Sequence, residues 1–271
     1  MNDLQPFATL IRALDPWRGK LVFIGGWAHR LHRLDPRANQ LEYQPVFTRD
    51  TDLAFANTEP IEGNIKTALL EHGFKEELSG EHKPPVTHYT LGQEQKGFYA
   101  EFLTPLVGSG MKRGGAVDAT LEKAGVSAQK IRHLDILLVQ PWTIKLEPLH
   151  GFPLSAPVDI QVANPLCFMV QKFLIQKYRK PDKQAKDILY IFDTLELFGT
   201  LLEEFNKNWS TVIKPELGEK LSDHVHQLSK SNFDRVTDVI RTASRIPQDR
   251  KLYPEQIQQT CQIAFEQIMS T

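Results

Sequence analysis

Thiols are nearly absent from this 271-residue chain, whose two cysteines are Cys167 and Cys261. They lie far apart and without ligand-like spacing, which leaves no basis for a disulfide framework or a cysteine-built zinc site. Both are expected as buried or half-buried free thiols of a reducing compartment. Long apolar runs are missing as well. No stretch reaches the about 18–20 residues of a membrane-spanning helix. Nor does the chain open with the basic, apolar and small-residue succession of a secretory leader, so a cytoplasmic protein with no membrane partner is the expectation. An excess of one charge is also lacking, because 32 Lys and Arg meet 33 Asp and Glu. That near-neutral balance argues against a protein that coats nucleic acid non-specifically, while a local basic groove stays open. No Gly-x-Ser-x-Gly elbow or cysteine–histidine signature gives covalent hydrolase chemistry a nucleophile. Repeats and low-complexity tracts are absent too. The remaining composition, 41% hydrophobic, suffices for one large domain or two small ones.

Against that background two short segments stand out. The apolar strand Leu21-Val22-Phe23-Ile24 runs directly into Gly25-Gly26 and then a helical pattern from Trp27. Such a junction offers bare backbone N–H groups and the positive end of a helix dipole to a phosphate. The second segment, Thr48-Arg49-Asp50-Thr51-Asp52-Leu53, sets two aspartates two residues apart at the start of an apolar run. On a strand this spacing puts both carboxylates on one face, roughly 6.5–7 Å apart along the chain. Convergent carboxylates suit Mg²⁺, which prefers hard oxygen ligands and shares them with substrate phosphates. Either segment alone is usually a tight turn or a solvated strand end. In this order, a helix's length apart, they point to nucleotide chemistry.

The surrounding pattern predicts a leading helix over residues 4–14, a helix from Gly25 to about Leu34, and a polar connection over 37–45. Beyond the aspartate strand it predicts a helix over 61–71 and a hairpin of 86–91 with 98–103. Further strands are expected over 134–139, 142–146 and 158–162. The glycine-rich stretch from Gly108 to Gly115 lacks the ending and the following helix of a phosphate loop, and reads as an exposed connection. From Pro165 onward the pattern is helical throughout. The expected fold class is therefore α/β, of the α+β kind. A mixed sheet with flanking helices would occupy residues 1–164, and an all-helical domain residues 165–271, with a cleft between them.

Phosphoryl-type transfer gains from a third acid. Glu101, inside the apolar run Phe98-Tyr99-Ala100-Glu101-Phe102-Leu103, is the first candidate, since a buried charge needs a partner. A glutamate facing outward from an edge strand fits the sequence equally well, and Asp135 and Asp159 are rivals at other predicted strand starts. Histidines are assigned bland roles. His29 and His32 share a helix face without a third ligand, while His82 and His88 flank a proline pair and are expected to be exposed.

Strand-Gly-Gly-helix, then Thr-Arg-Asp-Thr-Asp-Leu, then a later acid resembles the DNA polymerase β-like nucleotidyltransferase superfamily. Within it, the long gap before the aspartates resembles the AbiEii-type toxins and their minimal-nucleotidyltransferase relatives. The resemblance implies that Gly25 and Gly26 cradle nucleotide phosphates and that Asp50, Asp52 and Glu101 hold two Mg²⁺. Trp27 stands where the family often has a small residue. In the helical half, Lys172 and Lys177 and the segment Lys183-Gln-Ala-Lys186-Asp187 are similar to the family's basic helix and its Lys-Asp element. Lys172, Lys186 and Asp187 are then the nucleotide-binding candidates, with Asp187 orienting Lys186. A solvated basic face is the plainer reading of any one lysine. The implied reaction moves a nucleoside monophosphate from an NTP to a hydroxyl of RNA, protein or a small molecule, with a cognate antitoxin as a further partner. A fold that kept the site's shape but lost catalysis, serving as a nucleotide-sensing or protein-binding module, is the alternative. A Glu101 turned away from Asp50 and Asp52 would favour that alternative.

Overall fold

The computed structural model describes residues 3–56, 60–79, 86–92, 97–111 and 117–270. The chain divides into two compact units, one of residues 1–34 with 47–163 and one of residues 35–46 with 164–271. Among the described residues, no helix is long and apolar enough to cross a membrane.

The first unit begins with α1 (Leu4–Ala13), a 3₁₀ turn (Asp15–Lys20), β1 (Leu21–Ile24) and α2 (Gly25–His32). It continues through β2 (Asp50–Phe55), α3 (Ile65–Glu71), β3 (Lys75–Ser79), β4 (Val86–Leu91) and β5 (Phe98–Pro105). The strands β6 (Thr120–Lys123), β7 (Val126–Ile131), β8 (Trp142–Leu146) and β9 (Val158–Val162) complete it. The sheet order is β3-β4-β5-β2-β1-β9-β8, and β7 joins β5 and β6 off this path. β1 runs antiparallel to β2, whereas β2 and β5 run parallel. The sheet is thus mixed, in agreement with the expected fold class.

Helix α1 forms because Phe7, Leu10, Ile11 and Leu14 recur at helical spacing, and all four are buried. Its Phe7 ring stacks on Trp27 at 4.0 Å and 6°, and Phe98 meets Trp27 edge-on at 5.9 Å. The bulky residue after the glycine pair is therefore a core side chain of α2. It packs toward α1 through that ring contact.

Three strands escape the sequence pattern. β3 reads Lys-Glu-Glu-Leu-Ser, too polar to stand out. β6 and β7 form a hairpin whose turn residues, Ala124 and Gly125, both have positive φ, at 49° and 78°. That geometry usually announces itself as Asn-Gly, which is missing here. The expected strand over 134–139 is a 3₁₀ turn, Asp135–Leu138. Positive φ at His133 and Gln140 breaks the extended path on both sides, and Ile136 and Leu137 are buried as neighbours rather than in alternation.

The second unit comprises α4 (Pro165–Ile175), α5 (Pro181–Phe198), α6 (Leu202–Asn208), α7 (Lys214–Leu217), α8 (Glu219–Phe233), α9 (Asp238–Ala243) and α10 (Pro254–Ile268). α4 starts with Pro165 after an Asn164 cap that accepts from the Leu166 amide at 2.9 Å. It is apolar nearly all round, which suits the central helix of a bundle. Phe173, Phe233 and Phe265 from α4, α8 and α10 form an aromatic core.

The polar segment Asp35–Val46 is part of this helical unit. The Asn39 amide donates to the Leu197 carbonyl at 2.8 Å, and its side chain donates to the Glu196 carbonyl at 2.8 Å. The Tyr43 hydroxyl donates to Glu196 at 2.6 Å, and the Arg250 guanidinium lies 3.3 Å over the Tyr43 ring. Arg250 also pairs with Asp193, whose side chain is fully buried. Removing one partner of a buried pair leaves a charge that water cannot reach. Arg250→Ala is therefore expected to cost about 3–5 kcal/mol in urea denaturation. A loss within the about 0.2–1 kcal/mol of an exposed pair would contradict this assignment.

Candidate active site

The site is built by three neighbouring strands. β2 alternates strictly at its start: Thr51 and Leu53 are buried, while Asp50 and Asp52 face the opposite, half-buried side. β5 alternates in step, with Phe98, Ala100 and Phe102 buried and Tyr99 and Glu101 on the other face. The parallel register pairs Asp50 with Tyr99 and Asp52 with Glu101. On the other flank the antiparallel register pairs Asp52 with Ile24, the last residue of β1. One row across the sheet therefore reads Ile24, Asp52, Glu101, and the glycine pair follows directly from its first member. Glu101 lies on an interior strand and shares the face of the aspartates. Its rivals do not join it, since Asp135 is exposed at a 3₁₀ turn and Asp159 is exposed on β9.

Gly25 opens α2 with φ +63°, a conformation that disfavours any side chain. A Cβ at this position would collide with the Asp52 carboxylate. The glycine is thus required twice, by the backbone and by the acid beside it. Ile24 at the helix N-cap supplies no capping side chain, so the first amides of α2, at Gly25 and Gly26, have no side-chain cap from that position.

Each acid has its own protein contact. The Thr48 hydroxyl donates to Asp50, and Asp52 lies against Gly25. His88 Nε2 is 3.0 Å from a Glu101 oxygen. That hydrogen bond, outweighing the effect of burial, raises the His88 pKa above the ordinary imidazole value, with the charges of Glu101, Glu77 and Asp50 adding to it. Tyr99 reports the same field, because burial first and then Asp50, Glu101 and Asp52 push its phenol pKa up. Among the described residues, no three His, Cys, Asp or Glu side chains converge closely enough to hold a metal ion. In donor type alone, carboxylates that share one sheet face are the oxygen ligands a hard divalent cation takes. Thr48 and His88 were not legible as partners of these acids. His88 is half-buried on β4 rather than exposed in a loop, and His82 lies outside the described residues.

In the helical unit, Lys172 Nζ is 3.0 Å from Asp187 Oδ1, with side chains only 5% and 6% exposed. Arg179 Nε approaches the other Asp187 oxygen at 3.2 Å. Lys172 also lies 5.0 Å over Phe168 and 5.4 Å over Tyr190. Lys186 is half-buried, 5.5 Å from the Tyr190 ring. The carboxylate of Asp187 is therefore engaged by Lys172 and Arg179, where the sequence suggests Lys186. Arg179 was missed because it lies in the Arg-Lys-Pro connection before α5, outside any helical periodicity.

Gly25→Ala is expected to lower stability by about 1–2 kcal/mol, the left-handed penalty of a side chain. It should also displace the Asp52 carboxylate in a crystal structure of the variant. Gly19→Ala, where nothing lies within 4 Å of the added carbon, serves as the neutral control. An unshifted Asp52 in Gly25→Ala would refute the steric argument.

A sequence family described as Nucleotidyltransferase matches residues 2–214. Among solved structures, the chain is similar to MenT4, a nucleotidyltransferase toxin from Mycobacterium tuberculosis H37Rv. The identity is 14% and the TM-score 0.40, over 98% of this chain and 82% of that one. No curated protein matches. The family match covers well over half of the chain and includes the glycine pair, the aspartates, Glu101, Lys172 and Asp187, so this chain belongs to the nucleotidyltransferase family.

Proposed function

We propose that the chain transfers a nucleoside monophosphate from an NTP to an acceptor hydroxyl and releases pyrophosphate. The observation behind this reading is the row Ile24, Asp52 and Glu101, with Gly25 directly after its first member and against the Asp52 carboxylate. The amides at Gly25 and Gly26 bind phosphate oxygens of the nucleotide with the positive end of α2. Asp50, Asp52 and Glu101 are the residues that would hold two Mg²⁺, which would supply neutralisation of phosphate charge there. Glu101 takes the proton of the acceptor hydroxyl as its oxygen bonds to the α-phosphorus. The bond from that phosphorus to the β-phosphate bridging oxygen breaks, and pyrophosphate leaves with the electron pair. Lys172 and Lys186 are assigned to the triphosphate, where positive charge offsets what develops on the leaving group. Asp187 is assigned to holding Lys172 in place.

Glu101 on the same face as the aspartates supports an enzyme over a catalytically silent nucleotide-sensing module. The motif resemblance to AbiEii-type toxins supports a toxin of a toxin–antitoxin or abortive-infection pair. On that reading the acceptor is an RNA, a protein side chain or a small molecule, and a cognate antitoxin is the partner. The cytoplasm is the assigned location, where NTP is available and the buried thiols Cys167 and Cys261 stay reduced.

Steady-state transfer with purified variants tests the assignment. Asp50→Asn and Asp52→Asn are expected to lower turnover by at least about 10²–10³-fold, the scale of a lost electrostatic stabiliser, with thermal melting unchanged. Lys186→Ala is expected to lose a comparable factor without unfolding. Wild-type turnover in the double aspartate variant would overturn the reaction, and an unaffected Lys186→Ala would return that lysine to the solvated helix face.

A further inference from the structure

We propose that His88 is a positioning residue for the third acid, fixing Glu101 so that one carboxylate oxygen is left for the metal or the acceptor. The inference rests on the nucleotidyl-transfer reading and adds to it a residue that neither the glycine nor the aspartate motif contains.

β4 pairs antiparallel with β5 through Tyr89 with Ala100 and Thr90 with Tyr99, so the next step brings His88 level with Glu101. β3 pairs Glu77 with His88. The catalytic row therefore extends across four strands as Glu77, His88, Glu101 and Asp52, with an imidazole between acids. His88 Nε2 lies 3.0 Å from Glu101 Oε1, so a protonated Nε2 donates to that oxygen. The imidazole is itself clamped, since its ring stacks on Tyr99 at 5.1 Å and 19°. The Thr90 hydroxyl donates to Glu77 at 2.7 Å, giving that acid a partner of its own.

The physical need is plain. Asp50, Asp52 and Glu101 are like charges on one face, and before a cation arrives their repulsion favours turning Glu101 away. A glutamate has three side-chain torsions, and ordering them costs entropy at each metal-binding event. A donor at Oε1 offsets the repulsion and selects one rotamer in advance, leaving Oε2 as the available ligand. With side chains only 21% and 18% exposed, the pair is shielded from the water that weakens surface contacts. Partners of this kind behind a ligating acid set its orientation and its affinity for the metal.

The test compares full-length wild type, H88A, H88Q, H88N, E101Q and H88A/E101Q. Mn²⁺ binding is followed by electron paramagnetic resonance and transfer by steady-state kinetics. A Gln amide places an N–H near the position of Nε2, whereas Asn falls short of it. H88A and H88N are expected to weaken Mn²⁺ binding and lower kcat by about 10–100-fold, with KM for the NTP within about threefold. H88Q should recover most of both losses. H88A should add nothing to E101Q, because it acts through that carboxylate. The proposal is overturned if H88A matches wild type, if H88N performs as well as H88Q, or if the two losses multiply in the double variant. Should H88A fail to fold, the contrast between H88N and H88Q decides alone. A wild type that neither binds Mn²⁺ nor transfers nucleotide would overturn the reaction and this inference together. An active wild type with an indifferent His88 would overturn only the latter.

Discussion

The contact between the Asp52 carboxylate and Gly25 is the constraint on which the rest of the site depends. An acid can lie that close to a helix start only where the backbone carries no Cβ. The antiparallel pairing of β1 with β2 delivers Ile24 to Asp52, and the parallel pairing of β2 with β5 delivers Glu101 to the far side of the same residue. A slip of one residue in either pairing would turn the acids to the opposite face and into the apolar core. The buried alternation of Thr51, Leu53, Ala100 and Phe102 prevents that slip, so the packing of one face of the sheet fixes the chemistry of the other. Trp27 contributes from behind, anchoring α2 to α1 through Phe7 so that the helix start cannot drift from the strands.

The helical unit places its charges differently. Lys172 and Asp187 are almost fully buried, and Asp193 is wholly so with Arg250 beside it. Buried ion pairs are poor sources of stability, because desolvation consumes most of the attraction. An apolar pair of similar volume would serve packing as well. A lysine held by Asp187 over the faces of Phe168 and Tyr190 is instead fixed in orientation, which is consistent with the role proposed for it. The Asp193–Arg250–Tyr43 cluster has a different consequence. It fastens residues 35–46 to α5 and to the segment before α10 within the helical unit.

Much of this was legible in the sequence because the signals are local. Strand-Gly-Gly-helix and the period-two aspartates depend only on neighbouring residues, and α1, β1, α2, β2, α4 and α5 appear where periodicity puts them. Glu101 could be nominated but not placed, since an interior and an edge strand look alike without the sheet order. His88 was misjudged for a related reason. Its loop-like surroundings, Lys83-Pro84-Pro85, hid a register partner thirteen residues away. The sequence suggests the adjacent Lys186 as the partner of Asp187, and helix packing brings Lys172 and Arg179 to it. β6 and β7 were invisible because Ala124-Gly125 carries no conventional turn signature, and the apolar run at 134–139 was indistinguishable from a strand until its flanking positive φ angles were known. In each case the missing information was a long-range pairing, which propensity does not encode.

The proposed reaction transfers the nucleotidyl group and not another part of the NTP. The most direct measurement incubates the protein with Mg²⁺ and cell extract, using NTPs labelled in parallel on the α- and the γ-phosphate. Relative to extract alone, label from the α-phosphate is expected to become attached to an acceptor while label from the γ-phosphate is expected only in released pyrophosphate. Acceptor labelling from the γ-phosphate, or no labelling of any acceptor with either nucleotide, would contradict it.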